Sequence, residues 1–155
     1  MSLYVARYRQ PAPPKHWTFF VEGPTPASYI QHHILGPNAR TYFVYDKIVG
    51  EHPVDHPQFV QLSYLCDVGV SNIEAIECIA EGMRIYQYRH VWDVQQYVLD
   101  LIEVLESARV IEIPPDQFER YQESKRVING YLEEGQVPPL RGLWDRSLWG
   151  RVEEW

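Results

Sequence analysis

Between Trp92 and Glu106 the chain reads WDVQQYVLDLIEVLE, and Val94, Val98, Leu101, Ile102 and Leu105 fall at offsets 0, 4, 7, 8 and 11. That spacing draws one apolar stripe along an α-helix; a strand would send successive side chains to opposite faces. Such a helix must lie on another apolar layer. The N-terminal half supplies one. Residues 3–8 alternate Leu3, Val5 and Arg7 against Tyr4, Ala6 and Tyr8, the period of a strand. HWTFFV (16–21) is bulky on both faces and reads as a central strand, and SYIQHHIL (28–35) and TYFVY (41–45) follow after Gly/Pro turns. FVQLSYLC (59–66) resumes strand character after a polar loop over 46–58.

The second half is helical. Ser71 or Asn72 caps a helix to about Gly82, residues 84–88 are extended, and VIEI (110–113) reads as a short strand. A last helix is expected over 116–133 after Pro114 and Pro115. Strands first and helices second predict an α+β domain over 1–134, an antiparallel meander packed by helices near 72–82, 92–106 and 116–133. Residues 135–155 carry Trp144, Trp149 and Trp155 and read as a strap laid over that domain.

Composition excludes several roles. With 45% hydrophobic residues, 5 Trp, 11 Tyr and 5 Phe, the chain is not disordered over most of its length. No apolar run approaches the ~18 residues of a membrane span. The first ten residues do not read as a signal peptide, which makes the cytoplasm the expected compartment. A net charge of −7 without any basic cluster argues against nucleic acid as a partner. Glycine-rich phosphate loops, G-x-S-x-G, C-x-x-C and H-E-x-x-H are all missing, so no nucleotide cofactor or standard metal centre is expected. A homodimer is left open.

Three short pieces carry a resemblance: His16-Trp17 in KHWTFFV, His33 followed three residues later by Gly36, and Trp92-Asp93-Val94-Gln95-Gln96-Tyr97-Val98. Together, over residues 3–108, they resemble a family of small fungal proteins with a fold similar to the papain-like NlpC/P60 and lecithin–retinol acyltransferase group. The resemblance implies a papain-like core with a nucleophilic cysteine at the start of the central helix, where dipole and imidazole favour the thiolate. This chain has Val94 there. Valine cannot attack.

The expected site is therefore a papain-like pocket without its nucleophile. His16 and His33 are the acid–base candidates, facing the start of the 92–106 helix, whose free N–H groups would polarise a substrate. Asp93 is either a catalytic acid or a partner of the helix dipole. Alternation sends His32 and His33 to opposite sides of their strand, His32 with Ile30 and Ile34; the resemblance selects His33. Trp17, Tyr29, His32, Trp92, Val94 and Gln95 would line the pocket, and the tyrosine density suits a small apolar or aromatic substrate. His90 lies on its rim or meets the helix start. Glu51, His52, Asp55 and His56 have metal-ligand chemistry, but Pro53 and Pro57 break the helix that would align them, and the segment reads as a solvated loop. Cys66 and Cys78 read as ordinary free cysteines. The implied functions are non-covalent cyclisation, isomerisation or elimination in fungal natural-product biosynthesis or, alternatively, inactive binding of a ligand or protein.

Overall fold

A computed structural model describes residues 1–10, 15–36, 43–86 and 93–132. Five strands, β1 (Ser2–Tyr8), β2 (His16–Glu22), β3 (Tyr29–Leu35), β4 (Val44–Val49) and β5 (Phe59–Asp67), precede three helices, α1 (Ile73–Gly82), α2 (Val94–Ser107) and α3 (Phe118–Gly130). The α+β class and the order of layers follow the sequence pattern. The strands form one sheet in the order β4-β3-β2-β1-β5, with all neighbours antiparallel. The meander holds from β1 to β4. The fifth strand departs from it and pairs with β1, so the chain crosses from one edge of the sheet to the other.

The sheet is two-sided. Leu3 and Val5 of β1, Trp17, Phe19 and Val21 of β2, and Ile30 and Ile34 of β3 form the main core with Val94, Tyr97, Val98, Leu101, Ile102 and Leu105 of α2. Every residue of the apolar stripe is thus buried. Each such side chain contributes roughly 1.5–3 kcal/mol of burial. The other face carries Ala6 and Tyr8 with Phe59 and Leu62 as a smaller cluster. β2 has neighbours on both edges and burial on both faces, as its unbroken bulky run predicts.

Polar contacts lock the helices in place. Tyr97 Oη donates to Ala80 O of α1 at 2.8 Å, and Tyr121 and Lys125 of α3 both donate to Glu106 of α2. The Arg7 guanidinium stacks 3.9 Å from the Tyr131 ring centre just beyond α3. Gly36 adopts φ 108 at the end of β3, a left-handed conformation that favours glycine.

Two elements differ from expectation. β4 lies at 44–49 rather than 41–45, so Asp46 and Lys47 belong to a strand and not to the polar loop. At a sheet edge a charged side chain reaches water from either face, so the charge does not break the strand. VIEI is no strand: the Val110 and Ile111 amides both donate to Leu105 O, wrapping the end of α2. The expected 135–155 strap lies outside the described residues.

Truncating the core of α2 should be costly. Leu101→Ala is expected to lower unfolding free energy by ~2–5 kcal/mol, while Val104→Ala on the exposed side stays within about 0.5 kcal/mol. Urea denaturation measures both.

Candidate functional site

Strand register builds the site. β2 and β3 pair with Phe19 opposite His32, and β3 and β4 pair with His33 opposite Asp46. Alternation along β2 puts Trp17 into the helix-packed core, which leaves His16 on the other face beside Tyr8. His33 shares that face.

The result is an unbroken chain of hydrogen bonds across three strands. His16 Nε2 lies 2.7 Å from His33 Nδ1, and His33 Nε2 lies 2.8 Å from Asp46 Oδ2. A carboxylate only accepts, so His33 Nε2–H donates to Asp46. Neutral His33 then accepts at Nδ1 from His16 Nε2–H, which places the lone pair of His16 on Nδ1. The rings meet edge to face, 5.0 Å between centres. His16 is 0% exposed, and burial, followed by the nearby His33 and His56, holds its pKa well below the usual 6.5. It is a neutral base at rest.

A second network braces this face. Tyr8 Oη and Thr18 Oγ1 both donate to Gln31 Oε1, and Gln31 Nε2 donates to Glu51 O at 3.3 Å. Through Glu51 it holds the segment read as a solvated loop. That segment is exposed at Glu51, Val54, Asp55, Pro57 and Gln58, as a solvated loop is, while its other side lies against the sheet. Pro53 is buried, His52 Nε2–H donates to Glu22 Oε2 at 3.0 Å, and the rings of His52 and His56 pack edgewise on Phe20 and Tyr8. Among the described residues no three His, Cys, Asp or Glu side chains are arranged to hold a metal.

The remaining sequence candidates divide by face. Tyr29 is on the relay's face, packed edgewise on Phe20 and His52. Trp17 is fully buried on the helix side, and so is His32, whose Nδ1 lies 2.7 Å from Tyr45 Oη. Burial, then Lys47 and His33, lowers the His32 pKa to about 3. Neither shares a face with His33, because adjacent residues of a strand point apart. Val94 is fully buried in the main core, on the α2 side of the sheet. His16 and His33 lie on the opposite face, not on the face expected to meet the start of that helix. Gln95 is also buried, and its Nε2 donates to Lys15 O at 2.9 Å, bringing the start of α2 to the residue before His16. Trp92 and His90 lie outside the described residues.

Asp93 is the N-cap of α2. Its Oδ1 accepts from the Gln95 and Gln96 amides at 2.9 and 3.1 Å. This is the helix-dipole alternative, and it changes one expectation: those two N–H groups are taken by the cap and do not polarise a substrate. Burial pushes the Cys66 thiol up to about 12, and Cys78 is exposed on α1. A thiolate at Cys66 is scarce at neutral pH.

Asp46, Gln31, Thr18 and Tyr8 were not picked out from the sequence. Tyr45-Asp46-Lys47-Ile48 shows no apolar–polar alternation, so nothing local marked Asp46 as a strand residue. The other three show their role only once the strands are in register. Two clefts lie on the helix side. One of about 640 Å³ is lined by Ile79, Met83, Arg84, Tyr86, Asp100 and Val104, and one of about 280 Å³ by Leu99, Ile102, Lys125 and Ile128 among others. Neither is lined by the relay residues, so the geometry of the imidazoles, not cavity size, marks the candidate site.

Acid sensitivity should follow. His16 and His32 both have folded pKa values below the unfolded value near 6.5, so the unfolded chain binds protons first as pH falls. Their contribution to stability is complete above about pH 6.5 and drains away below it, each by up to ~1.4 kcal/mol per pH unit. Urea melts between pH 7.5 and 5 test this, and flat stability across that window would contradict it.

No helix among the described residues is long and apolar enough to cross a membrane. No curated protein and no solved structure matches the chain. A family model matches residues 3–126, most of the described body from β1 into α3, and on that match the chain belongs to DUF6540, a family of unknown function.

Proposed function

We propose that this protein is an acid–base enzyme on a papain-like scaffold whose nucleophile position is occupied by Val94. It acts on a small apolar or aromatic substrate by cyclisation, isomerisation or elimination, in natural-product biosynthesis. The observation that carries the reading is the His16–His33–Asp46 chain, with its 2.7 and 2.8 Å contacts. His16 exchanges the proton with substrate, His33 fixes its tautomer, and Asp46 orients His33 and stabilises positive charge on the imidazoles. The aromatic cluster on the same face of the sheet, where Tyr4 stacks on Phe20 and Tyr29 meets Phe20 edge-on, favours an apolar or aromatic ligand.

A second reading, a ligand- or protein-binding protein without chemistry, draws support from the complete burial of both imidazoles and from the mixed cleft between α1 and α2.

Replacing His16 by Ala should cut turnover of the host pathway's product by ~10²–10⁴-fold, with His33→Ala also impaired. Unchanged turnover in both folded variants would end the acid–base reading. The scaffold is tested separately by Val94→Cys. A papain-like arrangement lowers that thiol's pKa below the ordinary value near 8.5, read from the pH profile of iodoacetamide alkylation. An ordinary or raised pKa would remove the papain-like part of the proposal.

A further inference from the structure

The three members of the relay differ in access to water. His16 is 0% exposed on the central strand β2, the His33 side chain 1% on β3, and the Asp46 side chain 16% on the edge strand β4. The chain thus runs laterally, strand by strand, from the middle of the sheet to its rim. His33 bonds through both of the atoms a proton would enter and leave: it faces His16 with Nδ1 and Asp46 with Nε2. A group needed only to orient His16 could have been a single carbonyl or carboxylate. A second imidazole adds the capacity to take a proton on one nitrogen and release another from the opposite one.

We propose that His16, His33 and Asp46 form a proton conduit, with Asp46 as the port that exchanges protons between the buried base and bulk water at the β4 edge. When His16 Nδ1 takes a proton, the Nε2 proton of His16 passes to His33 Nδ1, the Nε2 proton of His33 passes to Asp46 Oδ2, and Asp46 gives it to water. One proton enters and one leaves, and no charge stays in the sheet. In the reverse sequence water protonates Asp46, His33 Nε2 takes that proton, the Nδ1 proton of His33 returns to His16 Nε2, and His16 Nδ1 releases its proton to the substrate. An isomerisation, which takes a proton from the substrate and gives one back, uses both directions and restores the starting tautomers.

The inference deepens the acid–base reading of the same residues, and its test needs no substrate. In ¹⁵N-histidine-labelled protein, the exchange of the His16 Nε2 proton with water is measured by NMR for the wild type, Asp46→Glu and Asp46→Asn. Slowing by tenfold or more in Asp46→Asn, with near wild-type exchange in Asp46→Glu, is the expected result. Equal or faster exchange in Asp46→Asn overturns the conduit. Should that variant not fold, Asp46→Thr, a strand-favouring neutral residue, answers the same question by the same criterion. If His16→Ala abolishes turnover while exchange ignores Asp46, the acid–base reading stands without the conduit; slowed exchange with turnover indifferent to His16 leaves the conduit without the catalysis.

Discussion

The register of three neighbouring strands is the constraint on which the candidate site depends. Phe19 opposite His32 and His33 opposite Asp46 decide which side chains meet, and a slip of one residue would send each to the other face. The slip is forbidden by the core. Trp17, Phe19, Val21, Ile30 and Ile34 must face α2, because exposing them would forfeit most of the domain's apolar burial. Packing on one side of the sheet therefore sets the chemistry on the other.

Burying two imidazoles is expensive unless their nitrogens find partners. The fold meets that requirement for both nitrogens of His33 and for His16 Nε2 by bonding the rings to each other and ending the chain on a carboxylate near solvent. The low pKa of His16 is the electrostatic consequence: a neutral ring is far cheaper in that environment than a charged one. Gln31, bound by Tyr8 and Thr18 and bonded in turn to Glu51, ties the covering segment to the same face. The site and its cover are thus two polar networks on one face of one sheet.

Much of this architecture was legible in the residues. The offsets of Val94, Val98, Leu101, Ile102 and Leu105 marked both the helix and its buried face, and the unbroken bulk of HWTFFV marked a strand covered on both sides. Asp93 could be read as a helix partner because its chemistry acts within one turn. His32 and His33 could be separated by alternation alone. Asp46 was hidden, since a charged residue after a short strand reads as a loop unless the strand is known to lie at an edge. The pairing of β5 with β1 was hidden as well, because nothing local distinguishes the next strand of a meander from one that crosses the sheet. VIEI misled for a related reason: β-branched residues fit a strand, but here their amides serve the end of α2.

Local periodicity, turn residues and capping chemistry, all interactions within a few residues, by themselves determined the helices and most of the strands, and separated His32 from His33, while the choice of His33 came from the family resemblance. Only the tertiary structure decided that His16 bonds to His33, that Asp46 completes the line, and that the Gln95 and Gln96 amides are spent on a cap. Those outcomes depend on strand order and register, which are settled by burial summed over the whole sheet.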